Sequence, residues 1–161
     1  ILAMRSALLM RRKQHTTLLV IVLVAIPLSG ALVGCTNTKT GSASAYPMAK
    51  VNVLPAEIRE APPVVQESYQ FAIANPETLQ QLPCYCGCGD MGHTSNYSCY
   101  VQSQTEDGEI EYDTHALGCS ICVDITQDAM RLIREGKSLP EIRTYVDETY
   151  AQYGPSNMPA K

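Results

Sequence analysis

The chain has no tryptophan and a single phenylalanine, Phe71, in 161 residues. Tyrosine is its main aromatic, with nine copies. A small core built this way is marginal without disulfides or a metal. Cysteine therefore has a structural task before any functional one. Also missing is an unbroken apolar run long enough to cross a membrane, since Pro27, Ser29 and Gly30 interrupt the stretch from Leu18. No CxxCH occurs, because Val123 follows Cys122, and this excludes a covalent c-type haem. No acid/base pair, nucleophile triad or phosphate-binding loop is visible, so hydrolytic catalysis has no support. There is no internal repeat.

The N-terminus carries a targeting pattern. Arg11, Arg12 and Lys13 form a basic n-region and Leu18 to Leu28 an apolar h-region. Leu32-Val33-Gly34-Cys35 then has the form of a lipobox. This is the pattern of a bacterial lipoprotein signal, cleaved before Cys35, with Cys35 carrying the lipid anchor. Met10 is read as opening the n-region, with residues 1–9 upstream of the start. The expected setting is the extracytoplasmic face of the cell membrane.

Of the 12 basic residues, four (Arg5, Arg11, Arg12 and Lys13) precede Cys35, which leaves 8 against all 16 acidic residues. A net charge of that sign argues against nucleic acid or an anionic surface as a partner and is compatible with cations. Glu106, Asp107, Glu109, Glu111 and Asp113 are read as a solvated turn.

Residues 1–34 are thus read as signal and 35–57 as a lipid-anchored tether, small and polar from Thr36 to Ala45. Residues 58–155 are read as one folded domain and 156–161 as a disordered tail. The expected fold is mainly α, ending in a helical hairpin, with an inserted Cys-rich loop and a short β-hairpin. A helix starts near Pro62-Pro63, with Val64, Val65, Tyr69 and Ala72 on its period. Asn75-Pro76 restarts a helix with Asn75 as N-cap and Leu79 and Leu82 inward. Pro83 ends it. Residues Cys99–Gln104 and Glu109–Tyr112 pair across Glu106-Asp107-Gly108. Cys122, Ile125, Ala129, Leu132 and Ile133 form one helical stripe, closed by Gly136. Ser138-Leu139-Pro140-Glu141 is a capping box that opens the last helix, with Ile142, Tyr145, Val146, Thr149 and Tyr153 inward.

The chemistry is concentrated in residues 84–122. Six cysteines (Cys84, Cys86, Cys88, Cys99, Cys119 and Cys122) lie there with His93 and His115, while His15 belongs to the signal. In an extended Cys84-Tyr85-Cys86-Gly87-Cys88, side chains two apart share a face, so three sulfurs can meet one point. Cys119-Ser120-Ile121-Cys122 is a CxxC at a helix mouth, where unpaired N–H groups and the helix dipole favour thiolates. Dense thiolate ligation selects Cu(I), zinc or iron–sulfur clusters. The spacings match no ferredoxin run. Cu(I) is the first metal and zinc the second, held by Cys84, Cys86, Cys88, Cys119 and Cys122. Cys99, His93 and His115 complete or flank the site. Asp113 is a candidate carboxylate behind His115. Two other readings stay open: a thiol–disulfide oxidoreductase using Cys119 and Cys122, and a disulfide-stapled binding domain without metal.

Pro83-Cys84-Tyr85-Cys86-Gly87-Cys88 resembles the signature of the bacterial PCYCGC-motif (lipo)protein family. Gly92-His93, Ser95-Asn96, Cys99-Tyr100 and Cys119-x-x-Cys122-Val123-Asp124-Ile125 accompany it. The resemblance implies a surface-lipoprotein setting, in agreement with Cys35, and no assigned activity. More weakly, Cys119-x-x-Cys122, Gly136-Lys137-Ser138 and Glu141-Ile142-Arg143 resemble the helical domain of the thiol oxidoreductases of cytochrome c maturation. That likeness implies a helical hairpin. The Cys-rich segment Pro83 to Gly118 departs from it and puts a simple dithiol role in doubt. The expected partners are the membrane, through the N-terminal lipid, and a metal-exchange protein.

Overall fold

The computed structural model describes residues 45–159. The signal, the lipobox, Cys35, His15 and the first part of the tether lie outside the described residues.

The described chain is mainly helical, with one small two-stranded sheet. After a 3₁₀ turn at Val51–Val53 comes α1 (Ala56–Arg59), and then α2 (Pro63–Ala74). Pro63 opens α2 where a missing N–H is harmless. Val65, Ser68, Tyr69, Phe71 and Ala72 are buried. Val64, expected inward, is exposed. Successive helical residues turn by about 100°, and Val65 occupies the inward position. Asn75 does not cap the next helix, α3 (Pro76–Leu79), with its side chain. Its Nδ2 donates instead to the Phe71 and Pro47 carbonyls, both at 2.9 Å, and ties α2 to the preceding segment. Leu79 and Leu82 are fully buried, as their spacing implies.

The hairpin forms as β1 (Val101–Gln104) and β2 (Ile110–Tyr112), antiparallel, with an irregularity between Val101 and Ser103. Cys99 lies outside it, at the end of a 3₁₀ turn, Tyr97–Cys99. The acidic residues Glu106, Asp107, Glu109 and Glu111 are exposed.

Next come α4 (His115–Gly118), α5 (Ser120–Arg134) and α6 (Leu139–Tyr150). On α5 the predicted stripe is inward: Cys122, Ile125, Ala129 and Leu132 are buried and Ile133 is partly so. Burying each large aliphatic side chain contributes roughly 1.5–3 kcal/mol. The capping box at Ser138 is present in both directions: the Ser138 side chain accepts the Glu141 backbone N–H, and the Glu141 carboxylate accepts the Ser138 N–H at 2.9 Å. Helix α2 packs on α5, and α5 on α6. Ile142, Val146 and Tyr150 are buried on α6. Tyr153, expected inward, is 58% exposed. Residues Ala151–Tyr153 form a 3₁₀ turn, whose tighter winding rotates Tyr153 off the stripe.

Both ends of the domain extend beyond the boundaries drawn from composition. Tyr46 is buried edge-on against Phe71, with ring centroids 4.9 Å apart, and Leu54 is buried too. The Ala49 N–H and carbonyl both bond to Gln70 of α2. Among the described residues, packing therefore includes Tyr46, well before Ile58. At the other end, Asn157 lies against the cysteine loop instead of in a disordered tail.

Candidate metal centre

Pro83 ends the short helical turn and delivers Cys84 into the buried interior. Two residues past Tyr85 the backbone takes φ +83° at Gly87, a conformation that side chains other than glycine's resist. Cys88 then opens a 3₁₀ turn, Cys88–Met91. This turn breaks the extended alternation that would aim Cys84, Cys86 and Cys88 at a single point. The loop from Asn96 to Gly118 returns the chain, and Cys119 stands at the N-cap of α5 with Cys122 in its first turn.

The six thiols converge. Cys122 Sγ lies 3.1 Å from Cys99 Sγ, 3.3 Å from Cys84 Sγ and 3.7 Å from Cys86 Sγ. Cys84 and Cys86 sulfurs are 3.4 Å apart, and Cys88 and Cys99 sulfurs 3.8 Å. His115 Nε2 is 3.4 Å from Cys86 Sγ. The donors fall into two groups, each with every atom within 4.8 Å of the rest: Cys86, His115, Cys119 and Cys122, and Cys84, Cys88 and Cys99. Cys122 joins them through its contacts with Cys84 and Cys99.

All six cysteines are free thiols, and the shortest separation far exceeds the ~2.05 Å of a disulfide. Four sulfurs about 2.3 Å from a central zinc would stand roughly 3.8 Å from one another. The observed separations approach that value. Six sulfurs and one imidazole also form the donor set of soft or borderline metals. The residues present therefore fit a metal.

The supports of the cluster come from distant parts of the chain. The Cys122 carbonyl accepts from Tyr100 Oη at 2.8 Å and Asn96 Nδ2 at 3.2 Å. Thr126 Oγ1 donates to Asn96 Oδ1 at 2.8 Å. Tyr100, Asn96 and Thr126 are fully buried, so this network holds the first turn of α5 against the return loop. From the C-terminal segment, Asn157 Oδ1 accepts the Cys84 N–H at 2.7 Å. Its Nδ2 reaches Cys88 Sγ at 3.4 Å and the Ser95 carbonyl at 3.1 Å, and its backbone N–H bonds the Cys84 carbonyl at 3.0 Å. Asn157 and Thr126 were not legible as site residues; polar side chains at those positions carry no spacing signal.

Protons are unevenly shared in the cluster. The helix mouth was expected to favour thiolates at the CxxC. Instead burial raises the Cys119 thiol, and hydrogen bonding, to Cys84 first, raises Cys122. Cys99 is raised by bonding to Cys122 first. Bonding to Cys122, then to Cys84, lowers Cys88. Bonding to Cys99, opposed by burial and helped by His115, lowers Cys86 to about 4. Packed thiolates repel one another, so when one sulfur loses its proton its neighbours hold theirs more tightly. A metal would take the place of those protons.

The two histidines take different positions. His115 belongs to the donor group with Cys86, while His93 stands outside both groups. Asp113, expected behind the His115 ring, accepts the His115 backbone N–H on Oδ1 at 2.7 Å. Its Oδ2 faces His93 Nε2 at 3.3 Å.

The family description "Protein of unknown function with PCYCGC motif" matches residues 23–160 of the 161. The chain belongs to this family. No curated protein and no solved structure matches it. For this member of the PCYCGC family, the motif named by the family is the loop that delivers Cys84, Cys86 and Cys88 to the thiol cluster.

Proposed function

We propose that this PCYCGC domain is an extracytoplasmic lipoprotein module that binds a soft metal, Cu(I) before zinc, for metal handling or structural stapling. Cys84, Cys86, Cys88, Cys99, Cys119 and Cys122 with His115 would hold it, and Cys35 would anchor the chain to the membrane. One observation carries the reading. Cys122 Sγ has three sulfur neighbours within 3.7 Å. A disulfide joins sulfurs one to one, whereas a metal gathers several around a point. Cys122 is then a thiolate shared by both donor groups, an arrangement that suits a small Cu(I)–thiolate cluster or two zinc ions. A redox role for Cys119 and Cys122 fits less well, because burial disfavours the Cys119 thiolate that would attack.

The test is native mass spectrometry of the Cys35→Ser chain purified under reducing conditions with Cu(I) or zinc. Bound metal without disulfides is expected. Cys122→Ser should lower the metal count more than Cys119→Ser does. A reduced chain that takes up no metal, or a chain isolated without reductant whose six cysteines are locked in three disulfides, would refute the reading.

A further inference from the structure

We propose that the cleft beside the thiol cluster is the port through which Cu(I) enters and leaves, with His93 as its transient ligand. This inference rests on the metal-binding reading above.

His93 is only 8% exposed, yet its Nδ1 has no hydrogen-bond partner among the described residues. Buried ring nitrogens are ordinarily paired, so an orphan lone pair asks for a reason. Asp113 indicates one. Its Oδ2 faces His93 Nε2, so the ring proton belongs on Nε2 and Nδ1 is left as a bare lone pair. A carboxylate holding the far nitrogen of an imidazole is the usual arrangement behind a metal-ligating histidine.

The placement of His93 connects the outside to the cluster. It lines an open cleft of about 600 Å³ together with Met91, Asp113 and His115. Met91 is 57% exposed and offers a thioether, a soft donor suited to Cu(I), at the solvent side. Inward, the His93 ring meets the His115 ring edge-on, with centroids 5.2 Å apart. His115 Nε2 is in turn 3.4 Å from Cys86 Sγ. The His93 backbone N–H bonds the Cys88 carbonyl, which fixes this wall of the cleft to the cysteine loop. A cation presented by a small chelator can therefore pass from Met91 to His93 and on to His115 and Cys86. Each step is a ligand exchange: one metal–donor bond forms as another breaks, and the oxidation state does not change. Thiol protons leave to solvent only when the metal reaches the sulfurs.

The experiment loads the Cys35→Ser chain with Cu(I) and follows transfer to excess bathocuproine disulfonate by stopped-flow absorbance. His93→Ala should keep the metal count and slow transfer at least tenfold. Asp113→Asn covers the case in which the alanine variant folds poorly. The amide oxygen can keep the His115 N–H bond while its NH₂ donates to His93 Nε2. That moves the ring proton to Nδ1, visible in ¹⁵N chemical shifts, and blocks the ligand. Slowed transfer together with a switched tautomer supports the port. Unchanged transfer with a switched tautomer and a full metal count overturns it and leaves metal binding standing. A lower metal count in His93→Ala makes His93 a resident ligand, which also overturns the transient role. A wild-type chain that takes up no metal refutes both readings.

Discussion

Replacing Asn157 by alanine tests whether the C-terminal segment is part of the site. The side chain accepts the Cys84 N–H at 2.7 Å and donates to the Ser95 carbonyl at 3.1 Å and Cys88 Sγ at 3.4 Å. Cys84 is completely buried, so its amide has little access to water after truncation. An unsatisfied buried donor costs about 1–3 kcal/mol, and the lost bond to the Ser95 carbonyl about 1 kcal/mol more. The expected loss is roughly 2–4 kcal/mol. At about 4 °C per kcal/mol for a domain of this size, Tm should fall by roughly 8–16 °C. The assay is thermal unfolding of reduced, metal-free Cys35→Ser protein by circular dichroism, with and without Asn157→Ala. Thiol modification should accelerate in parallel, since the loop carrying Cys84 and Cys88 loses its tie. Asn157→Asp keeps the acceptor and loses the donor, and should fall between. A Tm change under about 2 °C, the scatter of ordinary surface substitutions, would refute the docking of this segment.

Three further outcomes are expected. Gly154→Ala would place a Cβ 2.9 Å from the Tyr85 carbonyl oxygen, so backbone must shift; a loss of about 1–3 kcal/mol is expected in denaturant unfolding. The Glu141 carboxylate is lowered from 4.5 to about 2 by the Ser138 hydroxyl, the Ser138 N–H and Lys137. Its contribution is complete above about pH 4.5 and is lost as pH falls toward 2. Melting curves of Glu141→Gln should lack this acid-side slope. Metal loading should raise Tm. An apparent affinity of about 10 kcal/mol at about 1 µM free metal adds roughly 2 kcal/mol, or about 8 °C, and a chelator should reverse it.

The elements with strong local codes were readable in the chain itself. Ile125, Ala129 and Leu132 at helical spacing placed α5, Ser138 and Glu141 opened α6, and the Asp107-Gly108 turn announced the hairpin. Misreadings fell where local signals compete. Val64 and Val65 both suit a helix face but only Val65 can turn inward, and a 3₁₀ turn carried Tyr153 outward. The polar segments at both ends looked unstructured because composition does not register single anchors such as Tyr46 and Asn157.

By itself the sequence determined that the chemistry lies between Cys84 and Cys122, that the donor set is thiol-rich with two imidazoles, and that the surrounding domain is helical. Those properties follow from residue identity and short-range periodicity. Only the tertiary structure decided how the donors are shared. It put Cys122 between two groups of sulfurs, admitted His115 and left His93 at the cleft, and turned Asp113 toward both histidines. The physical reason is that each of these relations joins residues distant in the chain. The return loop and the polar network of Asn96, Tyr100 and Thr126 hold two sulfurs 23 residues apart within 3.1 Å.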